Sequence, residues 1–398
     1  MLLMSILSPD FRQSVACISG RRVVDVLADM GVRTVLLGDP TPLDLACVAD
    51  VPLDIDLGDW NATESALGLL HGVHPLDAVF SVYDAYLPVA SYLAARLGVR
   101  GLALGAAINC SDKARMRLAL AGAGVAVPDF VTAAEPADVE YAARRLGLPV
   151  VVKKTTDARG RGTLLCRSLG EAEEAAHVLG PGPLLVERFV DGPEFAVQTI
   201  TADGATEIVN VLAQQVGPGP RMAEVGYDFP SGLGDDGDGR LGTFAADALR
   251  ALGFDDGIAH LQVRLGPLGP VLINVAARPP GGQLCALTEQ VSGIDMTRAA
   301  AEVALGRVVT RKPGAASRAL YRCVAFDHGG IVDYDRTALE TPGVWLDIDP
   351  GDRVRPATDP QGGSYGRIVV YGDDADRLRA DYLDILDSLR PRVHPDNS

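Results

Sequence analysis

The architecture of this chain is most readable in the stretch LVERFVDGPE, residues 185–194. Its apolar first residues predict a strand that ends at Glu187, and Asp191-Gly192 predicts a turn before a second strand that begins at Glu194. The turn can bring these two glutamates, seven residues apart, to the same ligand. A solvated turn is the alternative interpretation.

Lysine is rare in this chain, and three of its four lysines precede that stretch. Of the 36 basic residues, the four lysines are Lys113, Lys153, Lys154 and Lys312. An arginine-rich chain that keeps a lysine can need a compact ammonium, which a planar guanidinium does not replace. Lys113 lies near a predicted helix start, and Lys153 ends the predicted strand 150–153. A chance distribution over the surface is the alternative.

A polar loop, residues 155–163, follows these lysines and contains Gly160 and Gly162. Glycines allow backbone N–H groups to approach phosphate oxygens closely. The lysines, the loop and the two glutamates together predict a nucleotide clamp between two sheets. In that clamp Glu187 and Glu194 would face the exocyclic amine and the ribose hydroxyls.

The first hundred residues alternate short β-rich runs with helical patterns. The predicted strands are 14–19, 34–37 and 78–81, and the predicted helices are 21–30 and 87–97. This alternation predicts βαβ units and a parallel sheet. A G-x-G-x-x-G fingerprint is absent after the first strand, where Ser19-Gly20-Arg21-Arg22 stands instead. A Rossmann oxidoreductase is therefore poorly supported.

The rest of the chain mixes helices and strands. Ser111 is the predicted N-cap of a helix from 112 to about 123. The glycine-, proline- and aspartate-rich stretch 214–239 predicts a long loop, with DDGDG (235–239) as a solvated turn. The other predicted elements are strands 164–167, 184–187, 194–200, 320–326 and 366–371, a hairpin of 260–265 with 271–275, and helices 169–179, 295–305 and 376–389.

Composition limits the function classes. The chain has 398 residues, 47% hydrophobic and 22% charged, which is typical of a globular protein of several domains. A net charge of −16 argues against nucleic acid and anionic membrane as partners. The six cysteines are scattered without a C-x-x-C, so we expect a reducing cytoplasm and no zinc knuckle. We expect neither a signal peptide nor a membrane span.

Five stretches in order and register resemble the ATP-grasp superfamily. They are NCSDK (109–113) with AGVAVP (123–128), PVVVK (149–153), LVE (185–187) continuing to Glu194, MAEVGYDFP (222–230) and INVAARPPGG (273–282). Within that superfamily the resemblance is to carboxylate–amine ligases, such as L-amino-acid ligases and biotin-carboxylase-like enzymes. It implies an α/β fold in three parts. These are an N-terminal Rossmann-like domain (1–108), a two-lobed ATP-grasp core (109–310, small lobe about 125–185, large lobe about 186–310) and a C-terminal α+β extension (311–398).

The resemblance also implies site residues. For the nucleotide they are Lys113, Lys153, Lys154, the mobile loop with Arg159, Gly160, Arg161 and Gly162, the adenine hinge at Glu187 and Arg188 to Val190, and Glu194 for the ribose. For the substrate they are Glu224, Tyr227, Phe229, Arg278, Gly281 and Gly282. Arg278 and Lys153 would be catalytic, with Arg278 steadying an acyl phosphate or a substrate carboxylate. A structural salt bridge is the alternative for Arg278.

The chain departs from the family where two Mg²⁺ ions are normally held. The three ligand positions are occupied by Gln262, Asn274 and Ala276. Mg²⁺ prefers carboxylate and phosphate oxygens, and neutral amides do not offset its charge. Three alternatives stay open from the sequence. The metal arrangement is weakened, lysine and arginine hold the phosphates without metal, or one of Glu224, Asp228, Asp255 and Asp256 supplies oxygens instead.

The resemblance implies an ATP-dependent ligase that joins a small-molecule carboxylate and an amine through an acyl phosphate. ATP is the expected cofactor, and binding of Mg²⁺ is in doubt. The resemblance is compatible with a homodimer. Amino acids or a natural-product intermediate are the expected substrates. The alternative is a degenerate ATP-grasp protein that keeps an anion-binding cleft without Mg²⁺-dependent phosphoryl transfer. The substitutions at 262, 274 and 276 motivate it.

Overall fold

The chain folds into four β-sheets with helices packed against them, as seen in a computed structural model that describes residues 13–156, 162–217, 219–281, 283–356, 359, 364–389 and 392–394. The first sheet is parallel and lies at the N-terminus. Two antiparallel sheets follow and face each other across a cavity, and a three-stranded sheet lies near the C-terminus. The α/β class with a parallel N-terminal sheet is confirmed.

The N-terminal unit alternates strands and helices, as predicted. Its elements are β1 (Ser14–Ile18), α1 (Arg21–Asp29), β2 (Arg33–Gly38), α2 (Leu43–Ala46), β3 (Val51–Asp54), α3 (Trp60–Val73), β4 (Ala78–Ser81) and α4 (Leu87–Leu97). The strand order is β3-β2-β1-β4. Successive β1 side chains enter different cores: Val15 packs in the cluster of α1, and Ala16 in the cluster of α3 and α4. Both faces are thus covered, as a parallel sheet requires.

The next unit carries a four-stranded antiparallel sheet in the order β5-β8-β6-β7, which we name the small-lobe sheet. Its elements are α5 (Leu104–Ser111), α6 (Lys113–Gly122), β5 (Phe130–Ala133), α7 (Pro136–Leu146), β6 (Val150–Lys154), β7 (Thr163–Cys166), α8 (Leu169–Leu179) and β8 (Leu184–Arg188). Alanines of α7 and α8 pack against Val150 and Val152 on one face of this sheet. Its other face is left to line the cavity.

The predicted N-cap of α6 was wrong by one residue. The cap is Asp112, whose Oδ1 accepts a hydrogen bond from the backbone N of Arg115 at 3.0 Å. Ser111 instead ends α5. Both residue types cap helices well, and the chain turns between two consecutive helices here, so only the tertiary path selects the cap.

The large sheet has eight antiparallel strands in the order β13-β12-β9-β10-β11-β14-β18-β16. The elements of this part are β9 (Glu194–Ala202), β10 (Ala205–Val216), β11 (Glu224–Phe229), α9 (Gly234–Ala251), β12 (Gly257–Gly266), β13 (Gly269–Ala276), α10 (Leu284–Ser292), α11 (Met296–Ala304), β14 (Arg318–Cys323), β15 (Gly330–Asp333), β16 (Val344–Leu346), β17 (Arg353–Val354), β18 (Gly366–Gly372), α12 (Ala375–Leu389) and β19 (Arg392–His394). Strands β14, β18 and β16 of the C-terminal part therefore extend the sheet that forms one wall of the cavity.

The predicted long loop over 214–239 was wrong. Strand β10 continues to Val216, β11 occupies the middle, and the predicted DDGDG turn forms the start of α9. Asp235 and Asp236 lie in the first turn of α9, where the helix dipole favours acidic side chains. Downstream residues such as Leu241 bury α9 in the core, which outweighs the low helix propensity of its glycines. Among the described residues no helix combines the length and the apolar character needed to cross a bilayer.

Candidate functional site

A cavity of about 510 Å³ lies between the small-lobe sheet and the large sheet. It brings together most of the residues that the sequence predicted for nucleotide binding. The predicted residues that line it are Lys113, Lys153, Gly162, Glu187, Arg188, Val190, Glu194, Gln262, Asn274, Ala276 and Arg278. Arg159, Gly160, Arg161 and Gly282 lie outside the described residues.

The two adjacent lysines of β6 point to opposite faces of the small-lobe sheet. Lys153 is buried and lines the cavity together with Val151. Lys154 Nζ donates to the carbonyl oxygens of Gly180 and Pro181, at 3.3 and 2.5 Å. Side chains alternate along a strand, so neighbours cannot share one site. The structure therefore does not bring Lys154 into the cavity, contrary to the prediction.

Lys113 enters the cavity from the first position of α6. Its backbone N donates to the carbonyl of Thr155 at 2.8 Å, which ties the start of α6 to the end of β6. The two lysines are close enough for the charge of Lys113 to lower the pKa of Lys153. Burial is the main cause of that shift, and Arg117 adds to it, while Glu187 opposes it. The pKa of Lys153 falls to about 8.

Glu187 is the centre of a buried charge cluster that the sequence analysis missed in part. One carboxylate oxygen lies 2.5 Å from Arg117 Nε, and the other lies 2.5 Å from Lys153 Nζ. Arg117 is 0% exposed, and its Nη2 donates to the carbonyl of Ile273 on β13 at 2.5 Å. The two cations outweigh burial and lower the pKa of Glu187. Arg117 was not predicted, although its spacing of four from Lys113 places both on one helix face.

Glu194 is held by a second arginine that was not predicted, Arg264 on β12. Arg264 Nε donates to Glu194 Oε2 at 2.8 Å, and both side chains are buried. Its Nη1 donates to the carbonyl of Val190 at 2.9 Å, and its guanidinium lies 4.9 Å from the ring centroid of Phe189. Arg264 thus fixes both ends of the segment between β8 and β9, which we name the hinge segment (189–193).

The hinge segment contains a glycine that no other residue replaces. Gly192 has a φ of +133°, and a Cβ there would lie 2.0 Å from the carbonyl oxygen of Leu265. At the other end of the segment the backbone N of Phe189 donates to the carbonyl of Pro149 at 3.0 Å. The prediction of a turn at Asp191-Gly192 is confirmed, and the turn delivers Glu194 to the cavity.

Arg278 follows β13 and closes the cavity toward the N-terminal unit. Its Nε and Nη2 each lie 2.8 Å from Oδ2 of Asp84, and its Nη1 donates to the carbonyl of Pro279 at 2.9 Å. The salt bridge weighed as the alternative for Arg278 is therefore present. Arg278 and Asp84 both line the cavity.

The predicted substrate residues on β11 lie outside the cavity lining. Tyr227 is 1% exposed and packs edge-on against Tyr321, with ring centroids 5.6 Å apart. Phe229 contacts the same core cluster, and Glu224 hydrogen-bonds to Tyr227. Gly281 is exposed just before α10. The structure thus places Tyr227 in the core rather than on a pocket surface.

The positions where the family holds Mg²⁺ do form one patch on the cavity wall. Gln262 and Asn274 are directly opposite each other on β12 and β13, and Ala276 lies in the cavity lining beside them. The Gln262 amide nitrogen lies 3.3 Å from both Glu194 Oε1 and Gln214 Oε1. In the part of the chain that the structure describes, no three His, Cys, Asp or Glu side chains are grouped to hold a metal. These donors do not fit Mg²⁺, which needs anionic oxygens.

Replacement carboxylates do not reach this patch either. Asp228 pairs with Arg322 at 2.6 Å, and Asp256 pairs with Arg100 at 2.9 Å. Asp255 lies at the far end of β9, where its carbonyl accepts from Gly204. None of these three nor Glu224 is among the described residues that line the cavity. The described residues therefore give no support to the alternative in which these carboxylates supply the missing metal oxygens.

Comparison with known proteins identifies the type of domain that carries much of this site. The model of the ATP-grasp domain matches residues 118–214, which hold the small-lobe sheet, the hinge segment and the first strands of the large sheet. Residues 118–214 therefore match an ATP-grasp domain. The crystal structure of an L-amino acid ligase from Bacillus licheniformis has the same fold, with a TM-score of 0.80 at 21% identity. That match covers 97% of this chain and 100% of the ligase chain.

The sequence relatives of this chain include amino-acid ligases. It is 27% identical to the uncharacterized protein y4rH of Sinorhizobium fredii over 90% of this chain and 75% of the relative. It is 22% identical to the L-arginine-specific L-amino acid ligase of Bacillus subtilis over 63% of each chain. This chain thus spans less than two thirds of the length of that ligase.

Proposed function

We propose that this chain is an ATP-grasp protein, and that it is an ATP-dependent carboxylate–amine ligase that acts on an amino acid or a related natural-product intermediate. The observation that carries the proposal is the convergence of Lys113, Lys153 and Arg278 on one cavity between two sheets. The amino-acid ligases among its relatives support the same reaction class. The six cysteines, none of them in a disulfide, fit action in a reducing cytoplasm.

In the proposed reaction, some of these residues bind the nucleotide and others stabilise the reacting groups. Lys113 and Lys153 hold the phosphates of ATP, and the hinge segment with Glu194 holds the nucleoside. A carboxylate oxygen of the substrate attacks the γ-phosphorus, and the bond from that phosphorus to the β–γ bridging oxygen breaks, which releases ADP. An amine then attacks the acyl carbon, phosphate leaves with the electrons of the C–O bond, and one proton is released. Arg278 stabilises the negative charge of the acyl phosphate.

A second candidate function is favoured by the amides at Gln262 and Asn274. Phosphoryl transfer normally relies on metal that neutralises the β,γ oxygens. A cleft without metal ligands can keep nucleotide binding and lose transfer. In that case the chain is a nucleotide-binding ATP-grasp protein with a regulatory role, or one that catalyses a different reaction in the same cleft.

The test separates the two candidates by product. The purified chain is incubated with ATP and a panel of amino acids, with and without Mg²⁺, and ADP, phosphate and amide products are quantified. The ligase predicts ADP and phosphate in equal amounts, dependent on a carboxylate and an amine together. Binding of ATP with no ADP from any pair favours the second candidate.

Two lysine variants provide a matched control. Lys153→Met should abolish product formation, since it removes the ammonium that lines the cavity. Lys154→Met removes the neighbouring ammonium, which is engaged with the carbonyls of Gly180 and Pro181. It should keep most of the activity. Equal losses in both variants would contradict the assignment of Lys153.

A further inference from the structure

We propose that the cleft binds the polyphosphate without a divalent metal ion and that Arg221 supplies positive charge in the metal's place. The inference rests on the nucleotide site of the proposed function and holds for both candidates there. It assigns a role to a residue in the turn between β10 and β11, far in sequence from the phosphate-binding lysines.

The charge of the cavity wall already suits a metal-free anion. Its described lining has five cationic side chains, Lys113, Lys153, Arg221, Arg264 and Arg278, and three carboxylates, Asp84, Glu187 and Glu194. Arg188 also borders the cavity, but its exposed guanidinium pairs with Asp129 outside the lining. Each of the three carboxylates is in an ion pair with an arginine or a lysine. The lining therefore has an excess of two positive charges. A divalent cation would meet no unpaired carboxylate in this lining, whereas a polyphosphate is attracted to it.

The amides at the family's metal positions cannot reverse this balance. The amide of Gln262 already contacts Glu194 and Gln214, and Asn274 faces it from the next strand. An amide oxygen offers a dipole where a carboxylate offers a full charge. Mg²⁺ gives up its hydration shell reluctantly and needs anionic ligands to do so.

Arg221 has the features expected of the replacing cation. It lines the cavity, and its Nε is buried without a hydrogen-bond partner among the described residues. Buried donors are almost always satisfied, so an unsatisfied guanidinium nitrogen in a cavity wall points to a missing acceptor. Phosphate oxygens are acceptors that match the guanidinium fork.

The turn that carries Arg221 is fixed against the phosphate end of the cavity. The carbonyl of Pro220 accepts a hydrogen bond from the backbone N of Leu165 on β7 at 2.6 Å. The residues just before Leu165, Gly162 and Thr163, also line the cavity. Arg221 therefore reaches the site from the large sheet while its turn is held by the small-lobe sheet. This is the side on which Lys153 points into the cavity.

The experiment measures nucleotide affinity by isothermal titration calorimetry, with ATP and ADP in EDTA and in excess Mg²⁺. The wild type should bind ATP in EDTA within about threefold of its affinity in Mg²⁺. Arg221→Met should weaken binding in EDTA by about tenfold or more, the amount expected for a charged hydrogen bond. Arg221→Lys should lose less, and Arg240→Met, an exposed change on α9, should have no effect.

A second measurement reads metal binding directly, with Mn²⁺ and electron paramagnetic resonance. The wild type should bind no Mn²⁺ in the cleft, and Gln262→Glu with Asn274→Glu should create a site. ATP binding that requires Mg²⁺, unchanged affinity in Arg221→Met, or Mn²⁺ binding by the wild type as tight as by the double variant overturns this inference alone. No binding of ATP or ADP under either condition contradicts the proposed function itself and this inference with it.

Discussion

The carboxylate of Glu187 is shared between Arg117 Nε and Lys153 Nζ, each 2.5 Å from one of its oxygens. Arg117 also donates to the carbonyl of Ile273 on β13. One buried guanidinium thus connects the small-lobe sheet, through Glu187, to the large sheet. The position of Lys153 in the cavity therefore depends on a residue that does not itself line it.

Removal of Arg117 should destabilise the fold strongly. In Arg117→Met, Glu187 keeps only Lys153, and the carbonyl of Ile273 loses its donor. Breaking a buried ion pair from one side costs about 3–5 kcal/mol of unfolding free energy, which urea denaturation measures. Arg144→Met breaks an exposed pair with Glu140 and should cost at most about 1 kcal/mol. Similar losses in the two variants would refute the buried network.

Nucleotide binding should weaken as the pH rises through about 8. The folded-state pKa of Lys153 is about 8, lowered chiefly by burial, so the phosphate-binding ammonium loses its proton in that range. Bound phosphates favour the protonated form, so binding should take up a proton. Titration calorimetry from pH 7.5 to 9.5 in buffers of different ionisation enthalpy measures both effects.

Two variants test whether Lys153 is the titrating group. Lys153→Arg keeps its charge throughout this range and should remove the pH dependence, even if its affinity is lower. Lys154→Met should retain it, because Lys154 does not line the cavity. A wild-type affinity that is constant from pH 7.5 to 9.5 would show that Lys153 does not titrate there.

Gly192→Ala should damage both stability and the site. The new Cβ would lie 2.0 Å from the carbonyl oxygen of Leu265, on a backbone with a φ of +133°. Gly204→Ala provides the control, since its φ is +76° but no atom lies within 4 Å of the added Cβ. The control should cost about 1–2 kcal/mol from its backbone alone. Gly192→Ala should cost about 1–3 kcal/mol more, measured by urea denaturation, and equal costs would rule out the clash.

Much of the site was predictable because its signals are local. Lys113, Lys153, Glu187 and Glu194 stand at the ends of strands or helices that apolar periodicity identifies. The error at Lys154 was avoidable from the same pattern. Side chains alternate along the strand 150–154, so two adjacent lysines point to opposite faces of the sheet and only one of them can line the cavity.

Arg117 and Arg264, which the sequence analysis did not identify, make their ion pairs with residues distant in sequence. Arg117 meets Glu187 across 70 residues, and Arg264 meets Glu194 across another 70. Arg117 had a weak local signal, its helical spacing from Lys113, whereas Arg221 had none. The position of Arg221 follows from the path of the turn between β10 and β11, in a stretch whose glycines and prolines predicted only a loop.

Acid should destabilise this protein partly through His260. This residue is half-buried on β12, and its Nδ1 lies 2.9 Å from Gln198 Nε2. Burial, with a smaller effect from Arg278, lowers the pKa of His260 to about 3 from an ordinary value of 6.5. Between these two values the unfolded chain binds a proton that the folded chain does not. The contribution of His260 to the free energy of unfolding is therefore fully present above pH 6.5, and it is lost as the pH falls toward 3.

His260→Gln should reduce the acid dependence of unfolding. Because only the unfolded chain binds a proton at this residue, each pH unit below 6.5 lowers the free energy of unfolding by about 1.4 kcal/mol. At pH 4 the wild type should therefore have lost about 3 kcal/mol through His260. The variant is expected to be less stable than the wild type at pH 7, since a packed ring is replaced, and the gap should narrow or reverse at pH 4. Urea denaturation at pH 7, 5 and 4 measures this, with His328→Gln, in an exposed turn, as the control. A gap that stays constant from pH 7 to 4 would show that His260 takes up a proton equally in the folded and unfolded chains, and would contradict this prediction.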